Sequence, residues 1–453
     1  MTNSHGKWFR SRLLSALRRA VGPGHAVVIA GALGVALAVT SVSGRAQTEQ
    51  TAQAAQAAQT AASQHWVASW GAAQQIPEPQ NALSPDDLDH AVLRQLVHLS
   101  LGGSQLRLRL SNAFGTTPLR IDAVHVARAI SPSTSAIDPA TDRTVLFSGS
   151  PSVTIPAGAE YVSDPVALSV APLSTLTVTL SIPDAPARQT GHPGSRATSY
   201  IAHLVSAAAP ELPAAHTVEH WYFLSGVDVA APAHAAAIVA FGDSITDGHA
   251  CTTNGNDRWT DDLAARLQAN PATGSLSVIN TGIGGNHLLT DGLGPNALAR
   301  FDRDILARPG VRTVLVLEAI NDLGALSRMP NATAAQHADL VARLIAAYQQ
   351  ILDRAHASGL TVLGGTLTPW LGSDYYHPDA ASEADRQALN AWIRTPGHFD
   401  AVLDFDRAVR DPANPGHMLP AFDSGDHLHP SPAGYKAMAD SIPLTLLAPP
   451  TAP

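Results

Sequence analysis

At 453 residues the chain is too long for one ordinary hydrophobic core, so two folded domains with added segments are expected. An apolar content of 45 % with only 14 % charged residues argues against a largely disordered chain. The formal charge of −9, with no basic stretch in the part expected to fold, speaks against nucleic-acid binding. The single cysteine, Cys251, rules out an intramolecular disulfide framework and a cysteine-based zinc site, and it reads as an idle buried thiol.

The first 46 residues read as a signal peptide. Lys7, Arg10, Arg12, Arg18 and Arg19 precede an apolar run from Ala26 to Val42, and Gly44 and Ala46 follow in the small-residue positions of a cleavage site. The run is short for a membrane span, which needs about 20 residues. Export is therefore expected, to the periplasm or the medium, with no stable membrane association once the signal is removed. Residues 47–64, rich in Ala, Gln and Thr, have no large apolar side chain and read as a linker.

From His65 to Val229 the texture is short alternating segments with frequent turns. Leu106, Leu108 and Leu110 alternate with Arg107 and Arg109, the period-two pattern of a half-buried strand. The Gly102-Gly103-Ser104 turn predicts a hairpin between this strand and the preceding "VHLSL". Together these segments predict an all-β sandwich of jelly-roll type.

Residues 235–447 change rhythm to strand, helix, strand. "AAIVAF", "LSVIN", "RTVLVLEA", "LTVLGGTL" and "DAVLDF" are near-continuous apolar strands. Helices are predicted near Trp259–Gln268, Asn296–Leu306 and Glu383–Arg394. A long one lies between the third and fourth strands, with Val341, Leu344, Ile345, Tyr348, Ile351 and Leu352 on one face and Gly359 as its cap. This alternation predicts an α/β domain, a parallel sheet covered on both faces with its site at the carboxyl ends of the strands.

Four of those strand ends and loops carry chemistry-bearing residues. The first strand ends in "FGDSITDG", placing Ser244 at the sheet rim. A serine hydroxyl needs a base to take its proton and a third group to orient that base. Asp426 and His429 in "DSGDHLHPSP" are three residues apart, a spacing that brings both side chains to one side of a turn. His427 is the alternative base, set aside because His429 keeps that spacing and precedes Pro430. "GIGGN" ends the second strand and "EAINDLG" the third, offering the Gly285 amide and the Asn321 side chain as donors for an oxyanion beside the Ser244 amide. Asp243 reads as a turn organiser. His249, His287, His417 and His427 lack metal-ligand spacing and read as structural. Arg258 and Trp259 read equally as helix start or site lining. Trp370, Tyr375 and Tyr376 suggest a stacking wall for sugar or acyl groups.

In this order the blocks "FGDSITDG", "GIGGN", "IND" and "DHLHP" resemble the signature of the SGNH hydrolases, or GDSL esterases. The upstream "WVASWG" and "LRLRLSNAFG" regions are similar to the β-sandwich half of secreted bacterial esterases of the xylanase-cluster acylhydrolase group. The resemblance implies a flavodoxin-like α/β/α domain that hydrolyses esters with no metal or other cofactor. It implies Ser244 as nucleophile, His429 as base and Asp426 as its orienter, with Ser244, Gly285 and Asn321 forming the oxyanion hole. Two departures stand out. Ala319 replaces the glycine usual in the third block, and Thr246 stands where a G-x-S-x-G elbow needs its second glycine. The expected substrates are small-molecule or polysaccharide esters, O-acetylated carbohydrate foremost. The rival reading is a carbohydrate-binding or surface protein with an inactive hydrolase half, against which the intact set of five residues argues.

Overall fold

Apolar strands with period two on one side of the chain and continuous apolar strands on the other build two kinds of sheet. They appear in a computed structural model that describes residues 65–448. The predicted signal peptide and linker lie outside the described residues.

In the N-terminal half, a six-stranded antiparallel sheet has at its centre Ala91–His98, paired with Ser199–His203 on one side and Thr175–Ile182 on the other. A four-stranded antiparallel sheet is ordered Trp66–Gly71, Leu224–Ala230, Leu106–Ser111, Glu160–Val162. Leu106, Leu108 and Leu110 are fully buried, with Val124, Val126, Val178 and Leu180 of the larger sheet in the same apolar core. The predicted hairpin across Gly102–Ser104 does not form. Ala91–His98 joins the six-stranded sheet and Leu106–Ser111 the four-stranded one, so the turn carries the chain from one sheet to the other. The reason is burial: seven of the eight residues in Ala91–His98 are buried, a both-faces pattern that a two-stranded ribbon could not cover.

The C-terminal half holds five parallel strands, β1 (Ala236–Gly242), β2 (Leu276–Asn280), β3 (Val311–Leu317), β4 (Thr361–Gly365) and β5 (Ala401–Leu403). Their order is β2-β1-β3-β4-β5, all parallel, the doubly wound flavodoxin-like order whose switch point lies beside β1. Seven helices matter here: α1 (Ser244–Asp247), α2 (Trp259–Gln268), α3 (Ala297–Phe301), α4 (Ile320–Ser327), α5 (Ala334–Ala357), α6 (Ala380–Arg394) and α7 (Pro432–Ser441). The long α5 begins in a Thr333–Gln336 capping box and ends at Gly359, whose φ of 71° is the left-handed conformation expected just past a helix.

The exposed edge of β2 is covered by the N-terminal half. Ser277 Oγ donates to Ala68 O (2.6 Å), the Val278 amide to Ser100 Oγ (3.0 Å), and the Ala68 amide to Pro309 O (3.0 Å). A chain of ion pairs also crosses the boundary, from Arg109–Glu160 (3.0 Å) through Glu160–Arg308 (3.7 Å) and Arg308–Asp304 (3.9 Å) to Asp304–Arg300 (3.1 Å). These contacts knit the chain from His65 onward into one compact unit.

Candidate active site

The wholly buried β1 stops at Gly242 because Asp243 caps a single helical turn, its Oδ1 accepting from the Ile245 amide at 2.9 Å. Gly248, at φ 93°, ends that turn. Ser244 is thereby the first helical residue, and its amide has no acceptor among the described residues. Its hydroxyl Oγ lies 2.8 Å from His429 Nε2.

His429 comes from the loop before α7. Its Nδ1 donates to Asp426 Oδ2 at 2.6 Å, while Asp426 Oδ1 accepts from the amides of His429 (2.8 Å) and Leu428 (2.9 Å). With Nδ1 as the donor, the neutral ring leaves Nε2 as an acceptor for the Ser244 proton. Partial burial works to raise Asp426, but the hydrogen bond and charge of His429 and the two amides outweigh it and hold this carboxyl well below its ordinary value. The alternative base, His427, points elsewhere: its Nδ1 pairs with Asp423 Oδ2 at 2.6 Å and its side chain is half exposed.

The other two residues of the expected set sit at the ends of β2 and β3. Gly285 adopts φ 68°, the left-handed region that favours glycine, while a Cβ there would meet the movable end of the exposed Leu293 side chain. Its amide, like that of Ser244, has no acceptor among the described residues. Asn321 lies in the first turn of α4, with Nδ2 donating to Asn286 O at 2.7 Å and Oδ1 accepting from Tyr376 Oη at 2.6 Å. Ala319 sits just before α4 at φ 97°, a conformation that favours glycine. Replacing the usual glycine by alanine therefore leaves the Asn321 donor in place and strains the backbone that leads to it.

Two residues around this site, His192 and Arg196, carried no sequence signal, and His249 and Arg258 meet it in ways their sequence positions did not specify. His192, from the N-terminal half, places Nε2 2.8 Å from Asp247 Oδ1, on the turn that holds Ser244. Arg196, also from that half, donates through Nε to Gly248 O (3.1 Å) and approaches His249 Nδ1 at 3.4 Å. The His249 ring lies against that of His429, with centroids 4.0 Å apart. Burial, then the neighbouring His429 and Arg196, push His249 down to about 4. His249, Asp426 and His429 thus bring three possible metal-donor atoms within 4.8 Å of one another, a convergence the sequence spacing did not indicate. Both nitrogens of His429 already face Asp426 and Ser244, and Nδ1 of His249 faces Arg196. Arg258 is buried and braces the site from behind, Nε donating to Asp247 O at 2.8 Å and Nη2 to Ser195 O. The expected stacking wall is not formed as such: Trp370 and Tyr376 are buried and only Tyr375 is exposed, with Arg328 lying 3.8 Å over its ring.

Asp243 is wholly buried. Burial lifts its carboxyl to about 7, with the Ile245 amide and Arg300 opposing and Asp322 and Asp247 adding to the rise. An acid whose pKa is raised on folding holds its proton more tightly in the folded state. Stability is then fully present below the unfolded value of 3.8 and is lost as pH rises from there through about 7. Asp243→Asn should flatten this decline, giving a melting temperature that falls less than that of the parent chain between pH 5 and pH 8. A parallel fall in both proteins would show that Asp243 is not the titrating group.

Residues 240–437 match the GDSL-like lipase/acylhydrolase family. No curated protein matches the chain. Among solved structures, the acetylxylan esterase of Geobacillus stearothermophilus is 19 % identical over 46 % of this chain and 91 % of that one, with a TM-score of 0.35. A GDSL-like lipase from Bacteroides thetaiotaomicron is 18 % identical over 45 % and 84 %, at 0.32. An alpha/beta hydrolase from the metagenome of Lake Arreo is 21 % identical over 46 % and 94 %, at 0.33. The family match falls on the parallel-sheet half and spans Ser244, Gly285, Asn321, Asp426 and His429. Residues 240–437 are therefore a GDSL-like lipase/acylhydrolase domain, and the chain is a serine hydrolase of ester bonds.

Proposed function

We propose that this chain is an exported esterase that removes short acyl groups, O-acetyl groups on carbohydrate foremost, through an acyl-enzyme at Ser244. The observation that carries the chemistry is the unbroken Ser244–His429–Asp426 hydrogen-bonded chain beside two amides with no acceptor among the described residues. Ser244 Oγ attacks the ester carbonyl carbon as its proton passes to His429 Nε2, and Asp426 stabilises the imidazolium. The negative charge on the former carbonyl oxygen is met by the Ser244 and Gly285 amides and by the Asn321 side chain. Collapse breaks the carbon–alkoxy bond, and the alcohol leaves with the proton from His429. Water then attacks the acyl group, giving its proton to the same nitrogen, and release of the acid returns that proton to Ser244.

Export rests on the basic, apolar, small-residue grammar of residues 1–46, which would be lost on maturation. The division of labour proposed is a β module over residues 65–229 and a catalytic domain over 235–447. A substrate outside the cell and a second module whose Arg196 reaches the rim of the site both favour a polymer ester over a small metabolite. Acetate release from acetylated xylan and acetylated pectin, measured beside p-nitrophenyl acetate and p-nitrophenyl palmitate, tests the reading. The acetyl esters should be turned over at least about tenfold faster than the palmitate, a difference of about 1.4 kcal/mol in the barrier. Inertness toward every ester in the panel would overturn the proposal.

A further inference from the structure

Asn321 can serve an oxyanion only if its amide is held the right way round, because only the nitrogen end donates. The backbone carbonyl of Asn286 can only accept, so the atom 2.7 Å from it is Nδ2. Oδ1 therefore faces Tyr376, and the hydroxyl at 2.6 Å must be the donor. One hydrogen of Nδ2 is taken by Asn286 and the second is left over. We propose that Tyr376 is a positioning residue for the ester hydrolysis, its hydroxyl locking the Asn321 amide so that the free N–H is presented to the oxyanion.

The fold invests in this contact. Tyr376 comes from the loop after β4, far from Asn321 in sequence, and three devices hold it on α4. Ser327 Oγ donates to Tyr376 O at 2.8 Å, and Arg328 Nε donates to Tyr375 O at 2.8 Å. The third is Gly324, where an added Cβ would lie 2.3 Å from the Tyr376 ring, so only glycine lets the ring rest on the helix. Ring packing alone would be served by phenylalanine. The buried hydroxyl needs a partner to offset its desolvation, and Asn321 Oδ1 is the one it has among the described residues. Burial also keeps the phenol above its usual range, so it stays a donor.

This inference rests on the proposed role of Asn321, and the test separates the two. Tyr376→Phe keeps the ring and removes only the hydroxyl. Its kcat on p-nitrophenyl acetate should fall about tenfold with KM within about twofold, a loss confined to the transition state. Asn321→Ala alone should lose about 10²–10³ in kcat. Once Asn321 is alanine the hydroxyl has nothing to position, so Tyr376→Phe in that background should change kcat by less than about twofold. An unchanged kcat in the single variant, or the same tenfold loss in both backgrounds, would overturn the inference. So would a loss that follows the unfolded fraction in a thermal melt. A fully active Ser244→Ala variant would instead overturn the acyl-enzyme reading, whatever the Tyr376 cycle shows.

Discussion

Ser244→Ala lowers kcat on p-nitrophenyl acetate by about 10⁴-fold or more and leaves the fold intact. Among the described residues the hydroxyl makes one side-chain hydrogen bond, to His429 Nε2, so removing it opens no cavity of consequence and breaks no structural network. The amides of Ser244 and Gly285 and the Asn321 side chain remain, and they sustain a residual rate above that of water. His429→Ala should cost about as much, and combining the two should cost little more, because nucleophile and base act as one unit. Steady-state turnover with melting curves on the same preparations checks this. Retention of most of the parent rate by Ser244→Ala would remove the nucleophile from the mechanism.

The second large effect falls on stability. Arg300, at the end of α3, is buried and uses all its nitrogens. Nε donates to Asn286 Oδ1 (2.8 Å), Nη1 to Thr281 O (2.5 Å) and Asp304 Oδ2 (3.1 Å), and Nη2 to Gly242 O (2.9 Å) and Glu318 Oε1 (3.1 Å). It thus ties the ends of β1, β2 and β3 together directly behind the site. Burial, reinforced by Asp243, drives Glu318 well above the usual carboxylate range despite Arg300, so the guanidinium sits among acids that water does not reach. Arg300→Met should destabilise the chain by about 3–5 kcal/mol, because Asn286 Oδ1, Thr281 O and Glu318 Oε1 lose their donor, while Asp304, still held by Arg303, and Gly242 O, still held by the Ile283 amide, each lose one of theirs. Arg300→Lys should rescue little of this, since a compact ammonium cannot span the same fork of acceptors. A thermal melt reads the effect directly, and a melting temperature within a degree or so of the parent's would contradict it.

What the sequence revealed follows from how local each signal is. The helix expected near Trp259–Gln268 forms there, with Trp259, Leu263, Ala264 and Leu267 buried, because its apolar pattern is local to the element. The end of α5 was legible for the same reason, in Gly359. Ser244, Gly285, Asn321, Asp426 and His429 stood out because each lies in a short motif at a strand end or stiffened loop, and a parallel sheet gathers such ends on one rim. The failures are long-range. The Gly102–Ser104 turn looked like a hairpin because a turn says nothing about which sheet receives the next strand. Trp370, Tyr375 and Tyr376 looked like a stacking wall because aromatics in a loop do not announce which of them are buried. His192 and Arg196 meet the site only through the packing of one half of the chain on the other, which no local pattern encodes.

The acyl-enzyme itself is the most direct witness. Acid-quenching the protein during turnover of p-nitrophenyl acetate, followed by proteolysis and mass spectrometry, should find a single acetyl group on the hydroxyl of Ser244, absent after longer incubation without substrate. Hydrolysis proceeding with the acetyl group on a different residue, or with Ser244 never labelled even when deacylation is slowed by low temperature, would contradict the account.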